Sequence, residues 1–175
     1  MQTKSRLLYF SALLCIIETQ KQITLKGNQL NVVVIGNFGV STNDSPVKKA
    51  VIDAILNMHQ IAPFQLGLNL GNNVLPHGST VNDFERLDEV FSSVFPLDVI
   101  DFDFLTVIGE HDHEGDFDTQ IEYHKHRDDR FFLPKRNYVY GSFSNDSDVM
   151  LSDDTSIRFM CIDSTPLYQP GMSKQ

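Results

Sequence analysis

The chain has 175 residues, of which 41% are hydrophobic, and a formal net charge of -9. This length suits one domain with a substantial core, and the composition is that of a globular protein. The acidic balance argues against nucleic acid and anionic membrane surfaces as partners, because both repel a negatively charged chain.

The N-terminus has the pattern of a secretory signal peptide. Lys4 and Arg6 precede a short apolar run at residues 7–17, and polar residues follow. The run is short for a membrane span. We therefore expect residues 1–20 to be a signal peptide and the protein to be secreted or to reside in the secretory pathway. A buried N-terminal helix and an uncleaved signal anchor stay open as alternatives, and no other transmembrane segment is expected.

Apolar runs and turn residues predict the order of the strands. Strands are expected at residues 30–35, 65–70, 104–108, 138–143 and 157–162, with a polar loop at 144–154. The helices expected between the first strands imply a parallel sheet with helices on its faces. In such sheets ligands bind at the carboxyl ends of the strands.

Three helices are predicted between these strands. Ser45 and Pro46 are expected to begin the first helix. Its apolar stripe is Val47, Val51, Ile52, Ile55 and Met58. The second helix is expected to begin at Thr80 or Asn82, with the stripe Phe84, Leu87, Phe91, Val94 and Phe95. The third is expected at residues 117–125.

The three early strands end in a similar way. A glycine is followed by a polar residue in Gly36-Asn37, in Gly71-Asn72 and in Gly109-Glu110. Glycine allows a sharp turn of the backbone, and the next side chain is then expected to point into the crevice at the sheet edge. The repetition at three strand ends predicts a site there.

These motifs resemble those of the purple acid phosphatases, the tartrate-resistant branch of the calcineurin-like metallophosphoesterases. The matching stretches are GNFG at residues 36–39, GNN at 71–73, GEHDH at 109–113, and residues 115–123. The resemblance covers residues 28–175. It implies an α/β fold, namely the N-terminal part of the family's four-layer αββα sandwich, with a mixed sheet and flanking helices.

The resemblance also implies where metal ligands would lie. The family binds one ferric ion with a second iron, zinc or manganese ion, and the metals activate a water that attacks a phosphate ester. Asn37 and Asn72 stand where the family has aspartates, Leu75 where it has a tyrosine, and Glu110 where it has an asparagine. A neutral amide has one good donor oxygen and cannot bridge two metals as a carboxylate does.

The family's remaining ligands are histidines from downstream motifs, and no histidine follows His126 in this chain. We therefore expect no bound cofactor. The amides are expected to relieve the repulsion that unneutralised buried carboxylates would cause.

Two histidines match functional positions of the family. His111 matches the residue that contacts substrate phosphate and protonates the leaving group, and His113 matches a neighbouring substrate-binding position. Hydrogen bonding that shapes the loop is the alternative for both. A rebuilt zinc site formed by residues 110–114 with His124 and His126 is a further alternative, although adjacent residues rarely converge on one ion.

We expect a catalytically inactive, phosphatase-like secretory protein. One alternative is an active metal-dependent phosphomonoesterase with a remodelled site. Another is a non-catalytic module that binds an unknown protein partner, since the chain is similar to inactive relatives that anchor the gliding-motor complex of apicomplexan parasites. A truncated gene product is the third, and it would leave sheet edges and an apolar face uncovered.

Overall fold

The structure is a computed structural model that describes residues 23, 25, 27–141 and 149–168. The predicted signal peptide at residues 1–20 lies outside the described residues, as does much of the predicted polar loop. None of the helices within the described part of the chain is long and apolar enough to cross a membrane.

Four parallel strands form the central sheet. They are β1 (Val32–Ile35), β2 (Leu66–Asn69), β3 (Phe104–Thr106) and β4 (Phe131–Phe132), and they lie side by side in that order. The prediction of a parallel sheet is confirmed. The third strand ends two residues earlier than predicted, and the two-residue strand β4 was not predicted because it is too short to show a pattern.

Helices lie between these strands in sequence. They are α1 (Pro46–Ile61), α2 (Phe84–Leu87), which continues as a π-helical turn at Asp88–Ser92, and α3 (Phe117–His126). Ser45 caps α1 by accepting a hydrogen bond from the Lys48 amide at 3.1 Å, as its position before Pro46 predicted. The second helix begins later than predicted because the Asp83 side chain, not Thr80 or Asn82, caps it.

Aromatic side chains fill the core between the helices and the sheet. The ring of Phe91 packs edge-on against Phe104 and Phe131, with centroids 5.4 and 5.2 Å apart. Gly67 makes this packing possible, since a Cβ at that position would lie 2.3 Å from the Phe104 ring. Tyr123 of α3 contacts Phe131 in the same way at 5.5 Å. These contacts fix α2 and α3 on one face of the sheet.

Two antiparallel strand pairs follow the parallel sheet. Strand β5 (Tyr138–Tyr140) pairs with β8 (Phe159–Cys161), and β6 (Val149–Met150) pairs with β7 (Ser156–Ile157). The predicted strand at 157–162 is thus two short strands, and part of the predicted loop forms β6. A last helical turn, α4, covers Thr165–Tyr168. The chain is therefore a mixed α/β protein with a four-stranded parallel sheet and flanking helices.

The predicted apolar stripe of α1 does not all face the core. Ile52 and Ile55 are buried, whereas Val47, Val51 and Met58 are exposed. The buried face also includes Lys48, whose ammonium donates to the carbonyls of Val40 and Val90 at 2.7 and 2.8 Å. The prediction for this helix was wrong because it combined two adjacent faces into one.

Candidate functional site

Backbone contacts bring the first two strand ends together. The Asn37 amide donates to the Gly71 carbonyl at 2.9 Å, and the Gly39 amide donates to the Asn72 carbonyl at 3.2 Å. Asn37 and Asn72 both adopt left-handed backbone conformations, with φ of 55° and 57°. Asparagine and aspartate tolerate this conformation better than other residues with a Cβ. The prediction of convergent strand ends is confirmed for these two loops.

The two asparagine side chains form a small amide cluster with the third strand end. The Asn72 Nδ2 group donates to Asn37 Oδ1 at 3.3 Å, and Asn72 Oδ1 accepts from the His111 amide at 3.0 Å. Asn37 is exposed, while Asn72 and His111 are half-buried. We call Asn37, Asn72 and His111 the amide cluster. Within it, both polar ends of the Asn72 side chain already have protein partners.

A buried carboxylate lies beneath the amide cluster. Asp112 accepts hydrogen bonds from the backbone amides of Asn73, Val74 and Gly109 at 2.9 to 3.1 Å, and from the Gln120 side chain at 3.0 Å. Burial raises the pKa of Asp112, and these four donors act in the opposite direction. Asp112 thereby ties the second and third strand ends to α3.

Asn73 and Gln120 extend this arrangement. The Asn73 amide group donates to the Val107 carbonyl at 2.9 Å and to Gln120 Oε1 at 2.8 Å. Its carbonyl accepts from the Asn69 side chain at 2.6 Å. We call Asp112, Asn73, Gln120 and Asn69 the Asp112 network. All four side chains belong to buried residues, so the network acts as part of the core.

His111 is half-buried beside Glu114, whose carboxylate also contacts a second histidine, His77. The His111 Nδ1 atom is 3.2 Å from Glu114 Oε1, and the other carboxylate oxygen of Glu114 contacts His77 Nδ1 at 2.6 Å. The hydrogen bond from His77 lowers the pKa of Glu114. His77 lies outside the stretches that resemble the phosphatase family, and the sequence analysis did not single it out. Gly78 allows the chain next to His77 to lie close to His111, since a Cβ at residue 78 would be 2.9 Å from the His111 carbonyl oxygen.

His113 lies in a different environment. Its side chain is fully buried, and Nε2 is 2.8 Å from an Asp163 oxygen that also accepts from Arg136 at 2.6 Å. Its ring packs against Phe117 at 5.2 Å. In this geometry His113 does not reach the surface, so the structure offers no support for its predicted contact with substrate. The loop-shaping alternative describes its position.

A cleft opens in front of the amide cluster, with a volume of about 500 Å³. Its walls are formed by Asn37, Val40, Asp44, Leu75, Pro76, Arg86 and His111. Sequence reasoning missed Arg86, although its place in the first turn after Asp83 could have indicated a fixed cation. Its guanidinium donates to the Gly39 carbonyl at 3.1 Å and pairs with Glu89. Arg86 thus stabilises the first strand end as well as lining the cleft.

The donor groups in this cleft do not suit a di-metal centre. Asn37 and Asn72 offer neutral oxygens, and the Asn72 oxygen already accepts a backbone hydrogen bond. Leu75 offers no donor atom, and Glu110 is exposed at the start of the turn His111–Glu114, outside the cleft lining. Across the described part of the chain, no three His, Cys, Asp or Glu side chains are grouped to hold a metal ion. Hard divalent and trivalent cations prefer several anionic ligands, whereas Asp44 is the one carboxylate in the lining of this cleft.

No protein-family model matches the chain, and the search of curated proteins gives no match either.

Proposed function

We propose that the chain is a purple-acid-phosphatase-like protein of the secretory pathway that does not catalyse phosphate ester hydrolysis. The support for the phosphatase likeness is the set of three Gly-polar strand ends in GNFG, GNN and GEHDH. Two of these ends are joined by backbone hydrogen bonds, and the third contacts Asn72. This is the place where an α/β sheet presents ligand-binding side chains.

The main support for an inactive protein is the hydrogen bond between the side chains of Asn37 and Asn72. Asn72 Nδ2 donates to Asn37 Oδ1, a contact that two carboxylates could not make without a proton or a cation between them. The side chains therefore satisfy each other where metal ligands would otherwise need a cation. The backbone conformation needs no change, because asparagine and aspartate share the left-handed preference.

His111 is the residue that could still support hydrolysis. It lines the cleft together with Arg86, which could attract a phosphate anion. An acid or a phosphate contact gives little rate enhancement without a group that activates the attacking water. Under this proposal, His111 contributes to the loop through its backbone amide, which donates to Asn72.

The test combines elemental analysis of the natively purified, dialysed protein with an assay of p-nitrophenyl phosphate hydrolysis. We expect no stoichiometric iron, zinc or manganese and no hydrolysis above that of a buffer blank, with or without added metal. Each measurement is repeated on His111→Ala and on His77→Ala, a matched control that removes a nearby surface histidine outside the cleft lining. About one tightly held metal per chain, with hydrolysis that His111→Ala abolishes and His77→Ala retains, would overturn the proposal.

A further inference from the structure

Helix α1 has a second apolar face, which is exposed. Its members are Val47, Val51, Ala54, Met58 and Ile61, and we call them the α1 stripe. They are spaced 4, 3, 4 and 3 residues apart, so they share one side of the helix within about 80° of arc. The four large side chains are 75%, 47%, 50% and 79% exposed, respectively. No described element covers them.

The spacing of the α1 stripe is that of helix pairs. Residues that alternate at intervals of four and three form the seam of two helices that pack side by side. The single small residue, Ala54, lies at the centre, with two large residues on each side. A twofold axis through Ala54 would pair Val47 with Ile61 of a second copy and Val51 with Met58 of that copy. The stripe is therefore self-complementary in an antiparallel arrangement.

A groove beside the α1 stripe supports the same arrangement. It has a volume of about 520 Å³ and is lined by residues of α1 and β1, among them Val34, Val47 and Val51. Strand β1 forms one edge of the sheet. Among the described strands, none pairs with that edge. The twofold axis would bring Ile61 of the second copy, the most exposed residue of the stripe, against Val47, which belongs to the groove lining.

Charge does not oppose this pairing, although the whole chain has a net charge of -9. The charged residues of α1 are Lys48, Lys49 and Asp53, which leave the helix with a net charge of +1 if His59 is neutral. None of them belongs to the stripe, and Lys48 is buried. The helix is thus a surface on which two acidic copies can meet without facing like charges.

We propose that the α1 stripe is the interface of a weak, antiparallel homodimer. The stripe exposes roughly 400 Å² of apolar surface, as much as the largest apolar patch of a typical monomer. Stable interfaces bury about 800 Å² per partner, so the dissociation constant is expected in the range of roughly 10 to 100 μM. This proposal is independent of the phosphatase-like function.

Sedimentation velocity of the 175-residue chain at increasing concentration measures the association. Ala54→Glu places two carboxylates at the twofold axis and is expected to raise the dissociation constant at least tenfold. Gln60→Glu adds the same charge to an exposed position of α1 outside the stripe and is expected to leave the constant unchanged. Both sites are exposed, so unfolding is not expected, and circular dichroism verifies this. A wild-type chain that stays monomeric at about 500 μM, or a dimer that Ala54→Glu leaves intact, would overturn the proposal.

Disulfide crosslinking tests the orientation. Val47 and Ile61 lie 14 residues apart, about 21 Å along the helix axis. Ala54→Cys is therefore expected to crosslink with itself under mild oxidation, whereas Ile61→Cys is expected to crosslink only with Val47→Cys. Self-crosslinking of Ile61→Cys as efficient as that of Ala54→Cys would indicate a parallel pair and contradict the proposal.

Sedimentation velocity would also reveal a different occupant of the α1 stripe. The apolar run at residues 7–17 could cover the stripe within one chain. A monomeric wild type whose Leu13→Asp variant forms dimers would show this, and it would overturn the homodimer as the state of the intact chain.

Discussion

The Asp112 network and the amide cluster lie one above the other on the same strand ends, and they differ in burial and in charge. Asp112 is a buried carboxylate with four hydrogen-bond donors around it. Asn37 and Asn72 are neutral, and Asn37 is exposed. The Asp112 network connects β2, the third strand end and α3, whereas the amide cluster connects only loop tips.

The difference shows which groups hold the loops in place. Buried donors must find acceptors, so the chain cannot lose Asp112 without leaving several backbone amides unsatisfied. Asn37 is exposed, so its side chain can exchange its hydrogen-bond partner for water. The shape of the cleft therefore depends on the Asp112 network. Side chains of the amide cluster can be substituted without disturbing the fold.

The largest effect is expected from Asp112→Ala. It leaves three backbone amides and the Gln120 amide group without their acceptor, and we expect a loss of about 4 kcal/mol in the free energy of unfolding. Urea denaturation measures the loss. Asp53→Ala, which removes an exposed carboxylate from α1, serves as the control and should change stability by less than about 0.5 kcal/mol. Equal effects of the two variants would contradict the role of the Asp112 network.

Gly109→Ala is expected to cost somewhat less, about 3 kcal/mol. A Cβ at this position would lie 2.3 Å from the Asn72 backbone nitrogen and 2.4 Å from its Oδ1 atom. The second and third strand ends would therefore be forced apart. Gly27→Ala is the matched control, because nothing lies within 4 Å of a Cβ there. A thermal melt that is lowered equally by both variants would show that the close approach of the strand ends is unimportant.

Asp112→Asn gives a smaller loss with a characteristic pH dependence. At pH 7 the amide presents an N–H group to other donors, and we expect a cost of about 2 kcal/mol. Because burial raises the folded-state pKa of Asp112, the folded wild type binds a proton more readily than the unfolded chain does. Its stability relative to Asp112→Asn should therefore increase as the pH falls from neutral towards the ordinary aspartate pKa of about 3.9. Urea titrations of both proteins at several pH values measure this difference, and a gap that narrows on acidification would contradict it.

The smallest effect is expected from placing carboxylates in the amide cluster. Asn37→Asp combined with Asn72→Asp replaces a hydrogen bond by two facing negative charges, and we expect a loss of about 1 kcal/mol in the absence of metal. The loss should decrease with added salt, since Asn37 is exposed. Asn57→Asp with Gln60→Glu adds the same charge elsewhere and is the control. Unchanged or higher stability of the Asn37→Asp, Asn72→Asp variant would contradict the view that neutral amides avoid charge repulsion at this site.

Several structural features could be predicted from local patterns. The buried runs around Val33 and Leu66 predicted the first two strands, and Ser45-Pro46 predicted the start of α1. The Gly-polar pairs predicted that the strand ends would meet, because parallel strands end at one edge of the sheet. The two-residue strand β4 and the caps of α2 were missed, since such short elements depend on their neighbours.

The site was predicted less completely. Glu110 was expected to point into the crevice but lies outside the cleft lining, which His111 joins instead. His113 is buried against Asp163, fifty residues further along the chain. Arg86 and His77 were not singled out at all. Contacts between residues so distant in sequence cannot be inferred from spacing along one element. Which of two neighbouring histidines reaches the surface is decided by the packing around the turn.

The sequence by itself determined the parallel α/β order and the three Gly-polar pairs that follow the first three strands, because both follow from residue types at fixed places along the chain. The tertiary structure decided that Asn37 and Asn72 bond to each other, that Asp112 holds the strand ends from below, and that α1 has an exposed stripe. A helix with two apolar faces shows one broad periodic pattern in sequence. Only its position on the sheet determines which face is buried and which stays open to a second copy.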